Sequence, residues 1–187
     1  MSGPIIAILV VILVIAVLGF IIFVYNSLIS LRNKVQNSWA QIDVELQRRF
    51  DLIPNLVETV KGYMNHEEAV LTRVTELRTS WGNAKTITEK AKLEKDLSSN
   101  LKSISVIAEQ YPDLKANTNF LSLQDELSST ETKISTSRAN YNNVAMIYNT
   151  KLEIFPNSII AGLFHFEKSE LFKVDNEEVK QNVKVKF

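Results

Sequence analysis

The polar residues best suited to chemistry in this chain lie in one short stretch, ELQRRFDLIPNLVETVKGY, residues 45–63. They are Arg48, Arg49, Asp51, Pro54 and Asn55. Two adjacent guanidinium groups could bind a small ligand or a peptide between helices. They could also join helices, because an arginine on an apolar face must either reach solvent or pair with an acid. We expect a contact from Arg48 or Arg49 to an acid or a carbonyl within residues 131–140.

No other set of residues has the spacing of a catalytic or metal site. The absence of cysteine excludes disulfides, thiolate ligands and cysteine nucleophiles. The five glycines form neither a dinucleotide-binding nor a phosphate-binding loop. His66 precedes a glutamate, but Val70 stands where a zinc protease has its second histidine, and His165 fits an interfacial position. We therefore expect no enzymatic activity, no cofactor and no metal.

The composition indicates one domain without affinity for nucleic acid. The 187 residues include 21 basic and 21 acidic side chains, so the formal charge is zero. Proteins that bind the phosphate backbone usually carry a basic excess on one face. We therefore expect no nucleic-acid partner.

An apolar segment near the N-terminus predicts a transmembrane helix. IIAILVVILVIAVLGFIIFV, Ile5 to Val24, contains no charged residue and would span roughly 30 Å as a helix, the thickness of the hydrocarbon core. It is longer than the apolar part of a signal peptide, and no small-residue cleavage site follows it. We predict a short segment 1–4 and a retained transmembrane helix 5–25. Because Arg32 and Lys34 follow it, we expect the N-terminus outside and the body in the cytoplasm.

Apolar residues repeat every seven positions after this segment and predict a long helix A, residues 26–63. One row reads Leu28, Val35, Ile42, Arg49, Leu56 and Tyr63, and a second reads Arg32, Trp39, Leu46, Ile53 and Val60. Asp51 could cap a new segment starting at Leu52, or Pro54 could bend a continuous helix. We favour the bend, because the apolar row keeps its phase.

Three further helices complete the pattern. Helix B, 66–81, follows the candidate cap Asn65, and helix C, 86–110, ends before Pro112. The turn between C and D contains Tyr111, Pro112, Asp113, Lys115 and Asn117. Helix D, 118–155, precedes an apolar segment and charged tail, 156–187. We therefore predict an all-α fold, a transmembrane helix continuing into an antiparallel four-helix bundle, residues 26–155.

The unequal helix lengths predict contacts between copies of the chain. Helices A and D would each be roughly 57 Å long, against about 24 Å for B and about 37 Å for C. Residues 28–42 and 141–155 would then form a two-helix stalk that cannot bury its own apolar face. We expect neighbouring copies to cover it. The seam residues are Leu28, Val35, Trp39, Ile42, Tyr141, Val144, Tyr148 and Phe155.

Several long blocks of the sequence resemble the LemA family of bacterial membrane proteins. They are residues 25–67, the run YPDLKANTNFLSLQDELSSTE, the run YNNVAMIYNTKLEIFPNSIIAGLFHF and the final VKVKF. The family often has Tyr at Phe50, Ala at Ser38 and Gly at His165. The resemblance implies a bacterial cytoplasmic (inner) membrane protein with one N-terminal transmembrane helix and a long-helix bundle. It carries over no catalytic residue, and related bundles among magnetosome-associated proteins suggest work in organising membranes.

Two functional hypotheses follow. The first is a membrane-anchored scaffold or adaptor that forms homo-oligomers, with the lipid bilayer and other membrane proteins as further partners. The second is a sensory or regulatory module that binds a small ligand or peptide near Arg48 and Arg49. In either case we expect residues 45–63 to form a hinge and polar latch where the four-helix head meets the stalk.

Overall fold

The computed structural model describes residues 3–63 and 68–172, which form seven helices. These are α1 (Gly3–Asp51), α2 (Ile53–Lys61), α3 (Glu68–Asn83), α4 (Ile87–Ala108), α5 (Pro112–Lys115), α6 (Thr118–Glu153) and α7 (Asn157–Leu163). Within these two ranges there is no strand. The predicted all-α class, with a long apolar N-terminal helix followed by further helices, is confirmed. The candidate cap Asn65, His66 and residues 173–187, with the VKVKF end, lie outside the described residues.

The chain divides into two compact units. The central unit is the continuous segment Ala40–Ser137, and the terminal unit combines Met1–Trp39 with Arg138–Phe187. The sequence places a junction of head and stalk at residues 45–63, which stays a prediction; that whole stretch lies within the central unit. The central unit extends further along α1 than expected because α4 reaches it: Lys90, in the first turn of α4, forms an ion pair with Asp43.

Helix α1 carries the apolar segment and continues without interruption as far as Asp51. It is the one helix among the described residues that is long and apolar enough to cross a membrane, and no part of its most apolar window is buried within the chain. Burial begins at Val24 and Leu28, where the helix starts to pack against the rest of the terminal unit. The single helix therefore passes from a fully exposed apolar segment into the packed part of the molecule.

The helix is interrupted for one residue at Leu52, between α1 and α2. Leu52 keeps right-handed helical angles, φ −76° and ψ −19°, and its carbonyl accepts a hydrogen bond from the Leu56 amide at 3.0 Å. Asp51 does not cap α2, because its carboxylate accepts from Gln47 Nε2 at 2.9 Å instead. Pro54 lies in the first turn of α2, where its missing amide proton costs little.

The core of the central unit consists of apolar rows from its helices. Helix α2 buries Ile53, Leu56 and Val60, so the apolar phase of α1 is preserved across the interruption. Helix α4 is started by a capping box, in which the Thr86 hydroxyl and the Glu89 carboxylate each accept from the other's backbone amide. The buried residues of the two middle helices are Leu71, Val74, Leu77 and Trp81 on α3, and Leu97, Leu101, Ile104 and Ala108 on α4.

The terminal unit covers its helix pair with its own C-terminal residues. Most of the predicted seam is buried within one chain: Leu28, Val35, Tyr141 and Tyr148 are each at most 5% exposed. Helix α7 and an extended segment, residues 165–172, contribute to this packing, with Ile160 and Ala161 buried. Cover by neighbouring copies therefore stays a prediction, since residues 156–172 already cover much of this face in a way that their sequence pattern did not reveal.

One seam residue is placed differently from the buried ones. Phe155 is 79% exposed, although it follows Tyr148 by seven positions. Helix α6 ends at Glu153, so the seven-residue repeat no longer sets the direction of the Phe155 side chain. Leu152 is buried in the last turn instead.

Candidate functional site

The first candidate site is the polar cluster around Arg49 in the central unit. Arg49 is only 2% exposed, and its guanidinium donates to Glu94 Oε1 at 3.1 Å and to Ser98 Oγ at 2.9 Å, both on α4. It also donates to Glu131 Oε2 on α6 at 3.5 Å. The Ser98 hydroxyl in turn donates to Glu94 Oε1 at 3.1 Å. One arginine of α1 is thus bonded to two other helices.

This cluster contains the interhelical contact expected from the sequence and one acid that sequence reasoning missed. Glu131 lies at the edge of the expected range, whereas Glu94 was not singled out. Glu94 falls on the same helical row as Leu97 and Leu101, three and seven positions later, and is buried with them. An acid on an otherwise apolar row needs a cation. That pattern was the available signal for the partner of Arg49.

A second network extends from the other side of the same stretch. The Phe50 ring stacks on Trp81, with centroids 4.5 Å apart and planes at 18°. Trp81 Nε1 donates to Gln47 Oε1 at 3.0 Å, and the Lys90 ammonium lies 4.9 Å from the Trp81 ring centroid. Together with the pair of Lys90 and Asp43, these contacts join the last turns of α1 to α3 and α4.

The remaining residues of the opening stretch face outward. Arg48, Pro54 and Asn55 are exposed, as is Asp51. The Asn55 carbonyl accepts from the Thr59 hydroxyl at 2.7 Å. Of the two arginines, only Arg49 is part of the buried cluster, so the structure separates them into one internal and one surface residue.

The turn between α4 and α6 is built around a short helix that the sequence did not predict. Pro112 begins α5, and Leu114 anchors the turn in the core. Asn117 caps α6, since its side-chain oxygen accepts from the amides of Asn119 at 2.9 Å and Phe120 at 3.1 Å.

The other predicted residues of this turn differ in their surroundings. Asn117 also donates to the Tyr63 hydroxyl at 3.1 Å, which ties the turn to the end of α2. Lys115 forms an ion pair with Glu109, while Tyr111 is half-buried and Asp113 is exposed. Asn55 and Asn117 line one shallow, polar surface pocket.

The terminal unit holds a second candidate site, in which two asparagines of α6 bind the backbone of residues 165–172. Asn149 makes a pair of hydrogen bonds with the Ser169 backbone, both at 2.8 Å. Asn142 does the same with Phe172, at 3.0 Å to the carbonyl and 2.8 Å from the amide. The two asparagines are seven positions apart and so lie on one face of α6. They hold an extended segment by its main chain.

Aromatic rings flank this clamped segment. Phe172 stacks on Trp39, with centroids 5.4 Å apart and planes at 19°, and meets Tyr141 edge-on. The guanidinium of Arg138 lies 5.3 Å from the Phe172 centroid. The Tyr141 hydroxyl donates to the Glu170 carbonyl at 2.8 Å. Burial, and secondarily the Glu170 charge, raise the pKa of Tyr141 above its ordinary value.

Chemically, both sites bind parts of the same chain. The described residues contain no group of acids and histidines that could hold a metal ion. The buried arginine, the acid beside it and the two asparagines all have partners within the protein. The arrangement suits fixing helices and an extended segment in place, and no described site has the geometry of a nucleophile with its base.

The fold and the two sites define an all-α protein with a long apolar N-terminal helix. The sequence model of the LemA family matches residues 38–187, and the chain belongs to that family. Protein LemA of Metamycoplasma hominis is 30% identical over 169 residues, covering 84% of this chain and 77% of that protein. Magnetosome proteins MamQ 1 and MamQ 2 of Paramagnetospirillum magneticum are 24% identical over 199 residues, covering 91% of this chain and 73% of each relative.

Proposed function

We propose that this LemA family protein is a non-enzymatic scaffold or adaptor, anchored by one transmembrane helix in the bacterial cytoplasmic membrane and associated with copies of itself. The observation that carries the proposal is helix α1. Its most apolar window has no packing within the chain, yet the same helix supplies Ile42, Leu46 and Arg49 to the central unit. An unpartnered apolar helix of this length is suited to lipid.

The proposed orientation has the N-terminus outside and the helical body in the cytoplasm. The support is the distribution of charge, because Arg32 and Lys34 lie within ten residues of the end of the apolar segment at Val24. Basic residues within about 15–20 residues of a span tend to stay on the cytoplasmic side.

The anchor offers apolar surface for association with other copies and with other membrane proteins. Apolar side chains such as Leu13, Ile15 and Phe23 are more than 60% exposed in a single chain, so lipids or other membrane helices must surround them. Two relatives are magnetosome proteins by name, which favours work at a membrane.

The absence of cysteine makes topology directly measurable. We expect Ser2→Cys to react with a membrane-impermeant maleimide from the periplasmic side, and Ser80→Cys, on the exposed face of α3, to react only after the membrane is permeabilised. The reverse pattern would contradict the orientation, and labelling of both positions from the same side would contradict a membrane-spanning helix.

Self-association is tested separately in lipid nanodiscs large enough for several copies, prepared directly from native membranes. Mass photometry is expected to show more than one chain per particle. Particles that contain a single chain at every expression level would refute the self-assembling part of the proposal while leaving the anchor intact.

The ligand-binding alternative near Arg48 and Arg49 receives no support from the geometry. The Arg49 guanidinium contacts Glu94, Ser98 and Glu131 of the chain itself. Arg48 is exposed, whereas Arg49 is buried. The two guanidinium groups therefore do not converge on one ligand.

A further inference from the structure

An uncharged patch of apolar side chains is exposed around α7 in the terminal unit. Its members, which we call the α7 patch, are Ile154 (45% exposed), Phe155 (79%), Ile159 (63%), Leu163 (67%) and Phe164 (46%). The sequence contains no charged residue from Ile154 to Phe164. Five exposed large apolar side chains within residues 154–164 are unusual on a surface that meets only water.

Helix α7 is oriented so that its largest apolar side chains point away from the protein. It buries Asn157, Ile160 and Ala161 against the terminal unit. Ile159 and Leu163, four positions apart and therefore on one face, are the exposed ones. A helix that only completed the core of a water-soluble unit would bury its isoleucines and leucines and expose its asparagine. The outward face thus requires an apolar neighbour.

The position of the patch identifies that neighbour. The Tyr25 ring lies 4.8 Å from that of Phe164 and 5.7 Å from that of Phe166. Tyr25 directly follows the apolar segment that ends at Val24, so the patch sits at the level where the anchor leaves the hydrocarbon. An amphipathic aromatic ring is typical of that level. The Arg32 guanidinium also lies over the Phe166 ring, at 5.6 Å from its centroid. The backbone of Arg32 lies about 10 Å further along α1 than that of Tyr25, at the rise of a helix.

We infer that the α7 patch inserts into the interfacial layer of the bilayer beside the anchor, so that the terminal unit is held at the membrane at two points. This inference rests on the proposed transmembrane role of α1. The ligand class is a lipid surface, and contact is made by acyl chains and the apolar part of the headgroup region, typically about 5–10 Å deep. Because the patch carries no charge, insertion does not depend on anionic lipid.

The inference is tested with single-cysteine variants of the full-length protein in phosphatidylcholine vesicles, each labelled with an environment-sensitive fluorophore. The patch variants are Ile159→Cys and Leu163→Cys. Phe23→Cys, 71% exposed on the apolar segment, is the control for the anchor, and Ser80→Cys is the control for the aqueous surface. Quenching is measured with aqueous iodide and with lipids that carry a doxyl group near the headgroup or near the acyl-chain end.

We expect both patch variants to lose iodide quenching relative to Ser80→Cys and to be quenched best by the headgroup-proximal doxyl group. Phe23→Cys should be quenched by the doxyl lipids and not by iodide. Adding phosphatidylglycerol should leave the patch signals unchanged. Asn157→Cys, on the buried face of α7, is a matched control and should be quenched less by the doxyl lipids than Ile159→Cys.

Three outcomes would overturn the inference. Iodide quenching at Ile159→Cys equal to that at Ser80→Cys would place the patch in water, and the anchor would still stand if Phe23→Cys remained in lipid. Protection of the patch from both iodide and doxyl lipids would show a protein neighbour, either a second copy or another partner. Quenching of Phe23→Cys by iodide would instead refute the transmembrane anchor itself.

Discussion

Replacement of Arg49 by methionine should strongly destabilise the central unit. The substitution removes a guanidinium that is 2% exposed and that donates to the Glu94 carboxylate, 10% exposed, at 3.1 Å. Loss of one member of a buried ion pair costs about 3–5 kcal/mol, because the other charge remains buried without compensation. The contact to Glu131, which is 58% exposed, adds only about 0.2–1 kcal/mol.

The same reasoning predicts that a second substitution reverses most of the loss. In Arg49→Met/Glu94→Leu both charges are absent, and the apolar replacements are of similar volume. Such replacements of a buried pair are often neutral or stabilising, so we expect the double variant to recover to within about 1–2 kcal/mol of the parent protein. Arg48→Met is the matched control, because Arg48, at the preceding position, is exposed; it should change stability by less than about 0.5 kcal/mol.

The assay uses urea unfolding of the full chain in nanodiscs, followed by tryptophan fluorescence. Each unit contains one tryptophan, Trp39 in the terminal unit and Trp81 in the central unit. A Trp39→Phe background therefore reports the central unit, where Trp81 stacks on Phe50, directly beside Arg49 in sequence. The reasoning is refuted if Arg49→Met is as stable as Arg48→Met, or if the double variant is no more stable than Arg49→Met alone.

Three further predictions concern the terminal unit. Asn142→Ala loses two hydrogen bonds to the Phe172 backbone, so it should lower the free energy of unfolding by about 1–3 kcal/mol and speed tryptic cleavage at Lys168. The control is Asn143→Ala, at an exposed position, which should change neither quantity. Equal cleavage in both variants would contradict the role of Asn142 in holding this segment. His165→Gly should raise the free energy of unfolding by about 0.5–1 kcal/mol in the same urea assay, because His165 has a left-handed φ of 53°. A lower free energy of unfolding in this variant would contradict the prediction. Because burial raises the pKa of Tyr141, the folded state holds its proton to higher pH than the unfolded chain, so stability should be intact below about pH 10 and decline above it. Urea titrations should show a smaller decline in Tyr141→Phe.

Periodicity predicted the long helices well because it reports burial directly. Leu46, Ile53 and Val60 are all buried, as a row with a seven-residue spacing requires. Arg49 could be recognised for the same reason, since a cation on that row has to find an acid. The seven-residue spacing predicts burial only within a helix, and Phe155 is exposed because α6 ends at Glu153.

The hydrogen bonds that hold residues 169–172 could not be predicted, because they are made to the backbone of that segment. Asn142 and Asn149 hydrogen-bond to main-chain groups of residues 169 and 172, which every sequence possesses. The asparagines alone are compatible with a solvent-exposed helix face. His165 is different: its left-handed φ of 53° is a conformation that favours glycine, and a histidine at this position gives no sign of it.

The division of the chain sets an order for folding during synthesis. The central unit, Ala40–Ser137, is one continuous segment, so all of its contacts are available before the last fifty residues are made. The terminal unit pairs residues up to Trp39 with residues from Arg138 onwards, and the hydrogen bond between Asn142 and Phe172 needs the chain as far as Phe172. Helix α1, which is synthesised first, must therefore wait with Leu28 and Val35 uncovered until residues 138–172 emerge. This interval is when an incomplete chain is most exposed to wrong partners and to proteases.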